Sequence, residues 1–231
     1  MKKELKRIIA LAGIMTLMMV FGFIYRYEIA SAYRSWRGIE LPANPRPEGM
    51  STIDWAELNY RDEMLELSTK YNLPYEYLMA LCVLECSGDK PAGHRFEKHV
   101  KKKLEKLQSG KRDKFENIKA NDIDGCNDEC LENLSTSWGP FQLMGYKCIA
   151  LGVNVADLRD EELAAEVGVR WIESEYGNYL SKKKYQDAFH IHNTGQRFPL
   201  NGVSKTHSPY YVSDGLRYMK IFKDREKKRQ S

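Results

Sequence analysis

The run Pro74-Tyr75-Glu76-Tyr77-Leu78-Met79-Ala80-Leu81-Cys82-Val83-Leu84-Glu85-Cys86-Ser87-Gly88 is apolar for most of its length and closes on a carboxylate. Leu73, Tyr77, Leu78, Leu81, Val83 and Leu84 give it the composition of a buried helix, with Pro74 suited to a first-turn position. A carboxyl group in half-apolar surroundings loses hydration of its charged form, which favours retention of a proton near neutral pH. A general acid needs that property. The alternative for Glu85 is an ordinary solvated carboxylate at a helix end.

The surrounding pattern is helical. Residues 53–71 carry Ile53, Leu58, Met64, Leu65 and Leu67; residues 161–180 place Leu163, Val167, Trp171 and Ile172 on one face. Further helices are expected over 141–151, 185–192 and 210–222, the last packing Tyr211, Leu216, Tyr218, Met219 and Phe222. No run alternates with period two for long enough to predict a strand. The segment 110–133 is polar and aperiodic, which predicts a long loop or lobe. There is no internal repeat and no Gly/Ser low-complexity tract. The fold expected is therefore mainly α, in one well-cored domain over residues 53–231.

In front of it, residues 8–25 contain no charged residue and follow Lys2, Lys3, Lys6 and Arg7. Eighteen helical residues span about 27 Å, near the thickness of a bilayer core. The expectation is a cytoplasmic basic flank over 1–7, a single-pass transmembrane anchor over 8–25 and a Pro-rich linker over 26–52. Pro42, Pro45 and Pro47 make that linker a semi-rigid spacer. The basic flank stays inside, which sends the remaining chain to the periplasm or toward the wall. A cleaved signal peptide ending near Ala30-Ser31-Ala32 is the alternative, opposed by Arg26 and Glu28 between the apolar run and that site.

The chain has 231 residues, 42% hydrophobic and 29% charged, with a net charge of +4. The first seven residues carry three of those charges, so the remainder is too balanced to argue for nucleic acid. The basic runs from Lys101 to Lys114 and from Lys223 to Arg229 read as solvated faces or tails, or as weak attractors of anionic wall polymers or lipid headgroups. Among five cysteines, Cys126 and Cys130 are spaced for a small disulfide loop or, with further ligands, a metal site. Cys82 and Cys86 share a helix face and pair elsewhere, or Cys82 packs as a core thiol; Cys148 reads as an inert buried thiol, and the odd count leaves at least one cysteine unpaired.

Three segments, taken in order, carry a resemblance. They are Glu85 with Ser87, then Ser137-Trp138-Gly139-Pro140-Phe141-Gln142-Leu143-Met144-Gly145, then His192-Asn193-Thr194-Gly195. Together with Tyr210-Tyr211-Val212 they resemble the lysozyme-like murein hydrolases: soluble lytic transglycosylases, goose-type lysozymes and phage N-acetylmuramidases. The match spans roughly Asn72 to Phe222. The middle segment alone also reads as a helix start capped by Ser137 with Pro140 in the first turn. His192 stands where the family has tyrosine.

The resemblance implies a lysozyme-like two-lobed helical domain that cleaves the β-1,4 bond between N-acetylmuramic acid and N-acetylglucosamine in peptidoglycan glycan strands. Glu85 is implied as the general acid. Gly139, Phe141 and Gln142 are implied as cleft wall and sugar contacts, with His192 and Asn193 flanking the sugar and Ser87 and Tyr211 completing the binding set. No metal or cofactor is implied. His94 and His99 read as hydrogen-bonded or surface residues rather than metal ligands.

The segment Gly93-His94-Arg95-Phe96-Glu97-Lys98-His99 resembles the Arg-Phe-Glu-x-His segment of the phage muramidases. It implies a second catalytic carboxylate in Glu97 and tips the expectation from transglycosylation toward hydrolysis. The alternative for Glu97 is a helix N-terminal charge paired with Lys or Arg. Two other classes stay open at this point. One is a wall-binding module of the same fold without turnover, and the other is a structural membrane protein whose polar lobe recruits a partner.

Overall fold

A computed structural model describes residues 45–231, so the expected flank over 1–7, the anchor over 8–25, the signal-peptide alternative and most of the 26–52 linker lie outside the described residues. The described chain is mainly helical. Its helices in chain order are α1 (Thr52–Tyr71), α2 (Tyr75–Cys86), α3 (Lys98–Gln108), α4 (Asp128–Leu134), α5 (Lys147–Leu151), α6 (Glu161–Ser181), α7 (Tyr185–Thr194) and α8 (Tyr211–Gln230). Five short strands accompany them: β1 (Arg95–Phe96), β2 (Lys114–Phe115), β3 (Ile118–Lys119), β4 (Thr136–Trp138) and β5 (Leu143–Met144). Among the described residues no helix is long and apolar enough to cross a membrane.

The helix α2 is the centre. Tyr77, Leu78, Met79, Ala80, Leu81 and Cys82 are all at 0% exposure, so it is covered on every side rather than along one stripe. Its neighbours are α1 and α8. Full burial of a Leu or Met side chain is worth about 1.5–3 kcal/mol, so this segment contributes strongly to cohesion. Pro74 stands one place earlier than expected, as the N-cap. At the other end Ser87 takes a left-handed conformation and its N–H and that of Gly88 return to Val83 and Cys82 carbonyls. Gly88 is required there twice over. Its φ is +73°, and a Cβ would come within 2.7 Å of the Ala56 backbone on α1.

The helices expected over 53–71, 161–180, 185–192 and 210–222 form within one or two residues of their expected starts, and α8 runs on to Gln230. Two expectations are corrected. The helix over 141–151 does not exist in its first half: β4 and β5 pair antiparallel, Ser137 with Met144 and Trp138 with Leu143, and only Lys147–Leu151 is helical. Consequently Ser137 is a strand residue, not a helix cap. Gly139 and Gln142 both have positive φ, which no helix interior accommodates. The segment 110–133, expected as a long loop or lobe, holds the β2–β3 hairpin, a 3-10 turn and most of α4.

The run from Lys101 is more than a solvated face. It belongs to α3, whose Val100, Leu104 and Leu107 at spacing four and three point into the core. β1 pairs with β4 to complete a three-stranded sheet in the order β1-β4-β5. Strands of two or three residues are too short for any period-two signal to register in sequence. Cys126 and Cys130 are joined as a disulfide, whereas Cys82, Cys86 and Cys148 are free and buried.

Candidate active site

Glu85 lies in the last turn of α2, and its side chain is 16% exposed. Tyr211, the first residue of α8 and 3% exposed, donates its hydroxyl hydrogen bond to Glu85 Oε1. The close packing of α8 on α2 is what brings these residues, 126 apart in sequence, together. Burial and the neighbouring carboxylate both push the Tyr211 phenol far above its ordinary range, so it serves as a donor and not as a phenolate.

His192 approaches the same carboxyl from α7, with Nε2 3.6 Å from Glu85 Oε1. That distance is outside hydrogen-bonding range. The ring is committed elsewhere. Nε2 lies 3.1 Å from the Phe141 carbonyl oxygen, and Nδ1 lies 2.6 Å from the Tyr176 hydroxyl. A carbonyl can only accept, so we assign the proton to Nε2, leaving Nδ1 to accept from Tyr176. Burial lowers the His192 pKa, against the opposing pull of Glu85, which fits a neutral imidazole. The edge of Trp171 packs on this ring, with centroids 5.6 Å apart.

Helix α6 supplies Tyr176 by breaking its own regularity: at that residue φ is −146° and ψ is 17°. Tyr77, from α2, lies behind it with its hydroxyl 3.4 Å from that of Tyr176. The polar row Tyr77, Tyr176, His192 and the Phe141 carbonyl therefore ties three helices to the β4–β5 turn. Phe141 itself is 1% exposed; its ring fills space beside Gly168 and only its backbone faces the site. His192 is accordingly a buried brace between the helices and the turn.

Gln142 closes that turn. Its Oε1 accepts from Ser137 Oγ at 2.8 Å, while Nε2 donates to the Gly139 carbonyl at 3.1 Å and the Gly93 carbonyl at 3.3 Å. The amide is spent on the turn itself. Gly139 has φ +66°, and a Cβ would meet the Ala164 Cβ at 2.8 Å, which fixes the turn against the start of α6. Ser87 is exposed beside Glu85 in sequence. Asn193 binds the following loop instead of the Glu85 cluster: Nδ2 lies 3.2 Å from His207 Nδ1, and Oδ1 accepts from the His207 N–H at 3.4 Å. His207 in turn sets its ring 6.1 Å from that of Tyr211.

Glu97 is the N-cap residue of α3, 20% exposed, with Arg95 Nε at 2.7 Å from Oε1 and His99 Nδ1 at 3.2 Å from Oε2. This matches the helix-terminal charge considered from sequence, paired with Arg95. No contact between Glu97 and the Glu85 cluster appears among the described residues. His94 stacks near Trp138 at 5.0 Å between centroids. No group of three His, Cys, Asp or Glu able to hold a metal occurs among the described residues.

Sequence reasoning passed over Tyr176, Tyr60, Asp89 and Glu161. Trp55 Nε1 donates to Asp89 Oδ1 at 2.8 Å, and the Tyr60 hydroxyl lies 2.6 Å from the Asp89 carbonyl and 2.9 Å from Glu161 Oε1. The Ala92 N–H also donates to Glu161, at 2.8 Å. These bonds pin the backbone that leaves Glu85. Burial raises the Glu161 pKa, and it raises those of the Cys86 and Cys148 thiols to about 12, so neither thiol is a nucleophile at neutral pH. Local spacing carries no signal of partners 29 to 101 residues apart.

No family model matches the chain, and no curated protein or solved structure matches it.

Proposed function

We propose that this chain cleaves peptidoglycan glycan strands at the β-1,4 bond between N-acetylmuramic acid and N-acetylglucosamine, with Glu85 protonating the leaving glycosidic oxygen. In this reading the domain is a two-lobed lysozyme-like fold, exported behind an N-terminal anchor, and the junction of the β4–β5 turn with α2, α7 and α8 is its cleft. One observation carries it. A partly exposed carboxyl group ends an otherwise buried helix, one oxygen fixed by the Tyr211 hydroxyl and a neutral His192 alongside. No Lys or Arg pairs with Glu85 among the described residues.

Positioned proton donation contributes about 10² to 10⁴ in rate, or about 3 to 5 kcal/mol. Tyr211 sets the carboxyl's orientation, and His192 holds the turn through Phe141. Ser87, Asn193, Gly139 and Gln142 line or support the sugar path. Glu85→Gln keeps the shape and the Tyr211 contact but has no transferable proton. Release of muropeptides from purified sacculi should fall at least about 10²-fold with sacculus binding retained. Comparable turnover in that variant overturns the assignment.

The hydrolytic form of this reading gives Glu97 the task of steadying the oxocarbenium-like centre or directing water. A second form is favoured by a specific observation: each oxygen of Glu97 is already engaged, by Arg95 and by His99. In that form Glu85 acts as acid and then base, and an internal hydroxyl of the muramic acid replaces water. The product ends separate the two: reducing ends for hydrolysis, anhydro ends for transglycosylation.

A further inference from the structure

The β2–β3 hairpin places two lysines opposite each other across its ribbon. Phe115 and Ile118 are paired across the ribbon and buried, separated by the two-residue turn Glu116-Asn117. Alternation then puts Lys114 and Lys119, also directly paired, together on the outer face. Side chains opposed in this way have Cβ atoms about 5 Å apart, and like charges there are destabilising. Neither lysine has a salt bridge among the described residues. Of the nearby acids, Glu116 binds Tyr146 and Lys147, and Asp122 accepts from the Lys119 backbone N–H.

A third cation is built in beside them. Arg112 Nε donates to the Lys114 carbonyl at 2.6 Å, and its guanidinium lies 5.4 Å from the centre of the Phe115 ring. Those two contacts fix the plane of the guanidinium and leave its terminal nitrogens without a protein partner among the described residues. Arg112, Lys114 and Lys119 line one open groove of about 810 Å³ with Asp113, Ala120 and Asn121. Asp113 is the single acid of that lining, so the groove keeps an excess of two positive charges.

We propose that this groove binds a phosphate group carried on a larger molecule. A phosphate offers several acceptor oxygens to one guanidinium fork and two ammonium groups, and it removes the lysine–lysine repulsion on binding. The groove is larger than the anion alone. Sugar phosphates, phosphodiester wall polymers and phospholipid headgroups share this chemistry. The site is independent of whether Glu85 cuts glycan.

The test is thermal unfolding of the full chain in non-ionic detergent, with inorganic phosphate compared with sodium chloride at equal ionic strength. Saturating phosphate should raise the melting temperature by at least about 3 °C beyond chloride in the native protein. In Lys119→Thr and in Arg112→Gln that excess should disappear. No excess in the native protein, or an undiminished excess in both variants, overturns the proposal. Glycerol 3-phosphate and glycerophosphoglycerol distinguish the source: a shift with the monoester alone assigns a sugar-phosphate type of ligand, and a shift with the diester assigns a polymer or headgroup.

Discussion

Replacing Tyr211 by Phe tests whether α8 really delivers a hydrogen bond to Glu85. The ring is 3% exposed and stays packed in the variant, so the change is confined to one hydroxyl. A hydrogen bond to a charged group is worth about 1.5–3 kcal/mol, and one between neutral groups about 0.5–1.5 kcal/mol. Tyr211→Phe should therefore cost about 1 kcal/mol more in the native background than where Glu85 is already Ala, which leaves no side-chain acceptor. The difference, about 1 kcal/mol, is the coupling between the two side chains. Urea unfolding near neutral pH, followed by tryptophan fluorescence in all four proteins, measures it from shifts in midpoint at constant slope. Equal cost in both backgrounds would refute the contact. If Glu85 is the acid, the same substitution should also slow glycan cleavage by about tenfold, the equivalent of about 1.4 kcal/mol lost from its orientation.

Three further outcomes follow from the geometry. His192 is held below its ordinary value by burial, so its contribution to stability is complete above the unfolded value of about 6.5 and is lost as pH falls through the folded value. Relative to the non-titrating His192→Gln, the native protein should thus lose stability between pH 7.5 and 5.5. A pH-independent difference between the two unfolding curves would show that His192 titrates alike in both states. Gly88→Ala must meet both a left-handed backbone and the Ala56 main chain, at a cost of about 2–4 kcal/mol. Gly125→Ala, with φ +72° but open space, should cost only about 1 kcal/mol; equal unfolding midpoints would discount the α1–α2 contact. Glu97→Gln should alter stability by less than about 1 kcal/mol, because its partner Arg95 is 78% exposed. On the hydrolytic form it should remove most turnover and the native products should carry reducing ends, whereas anhydro products with turnover kept within about tenfold would exclude that form.

The sequence by itself determined the helical body. Continuous apolarity from Tyr77 to Leu84 marked α2 as a core helix, and the 3.6-residue period marked α1 and α6, because side-chain burial along a helix leaves its period in the chain. It also placed Glu85 at the end of that core helix and paired Cys126 with Cys130 as one of two options. It did not show α3, whose Val100, Leu104 and Leu107 were hidden among lysines that solvate the opposite face. It misassigned 141–146, because Gly139 and Gln142 owe their left-handed geometry to the pairing of β4 with β5 and to the clasp of the Gln142 amide. Only the tertiary structure decided what the site residues touch. Tyr211 reaches Glu85 across 126 residues, His192 braces the Phe141 carbonyl, and Tyr176 joins it without any local signal. Hydrogen-bond partners of this kind are selected by the packing of α2, α6, α7 and α8, and packing between distant elements leaves no periodicity in any one of them.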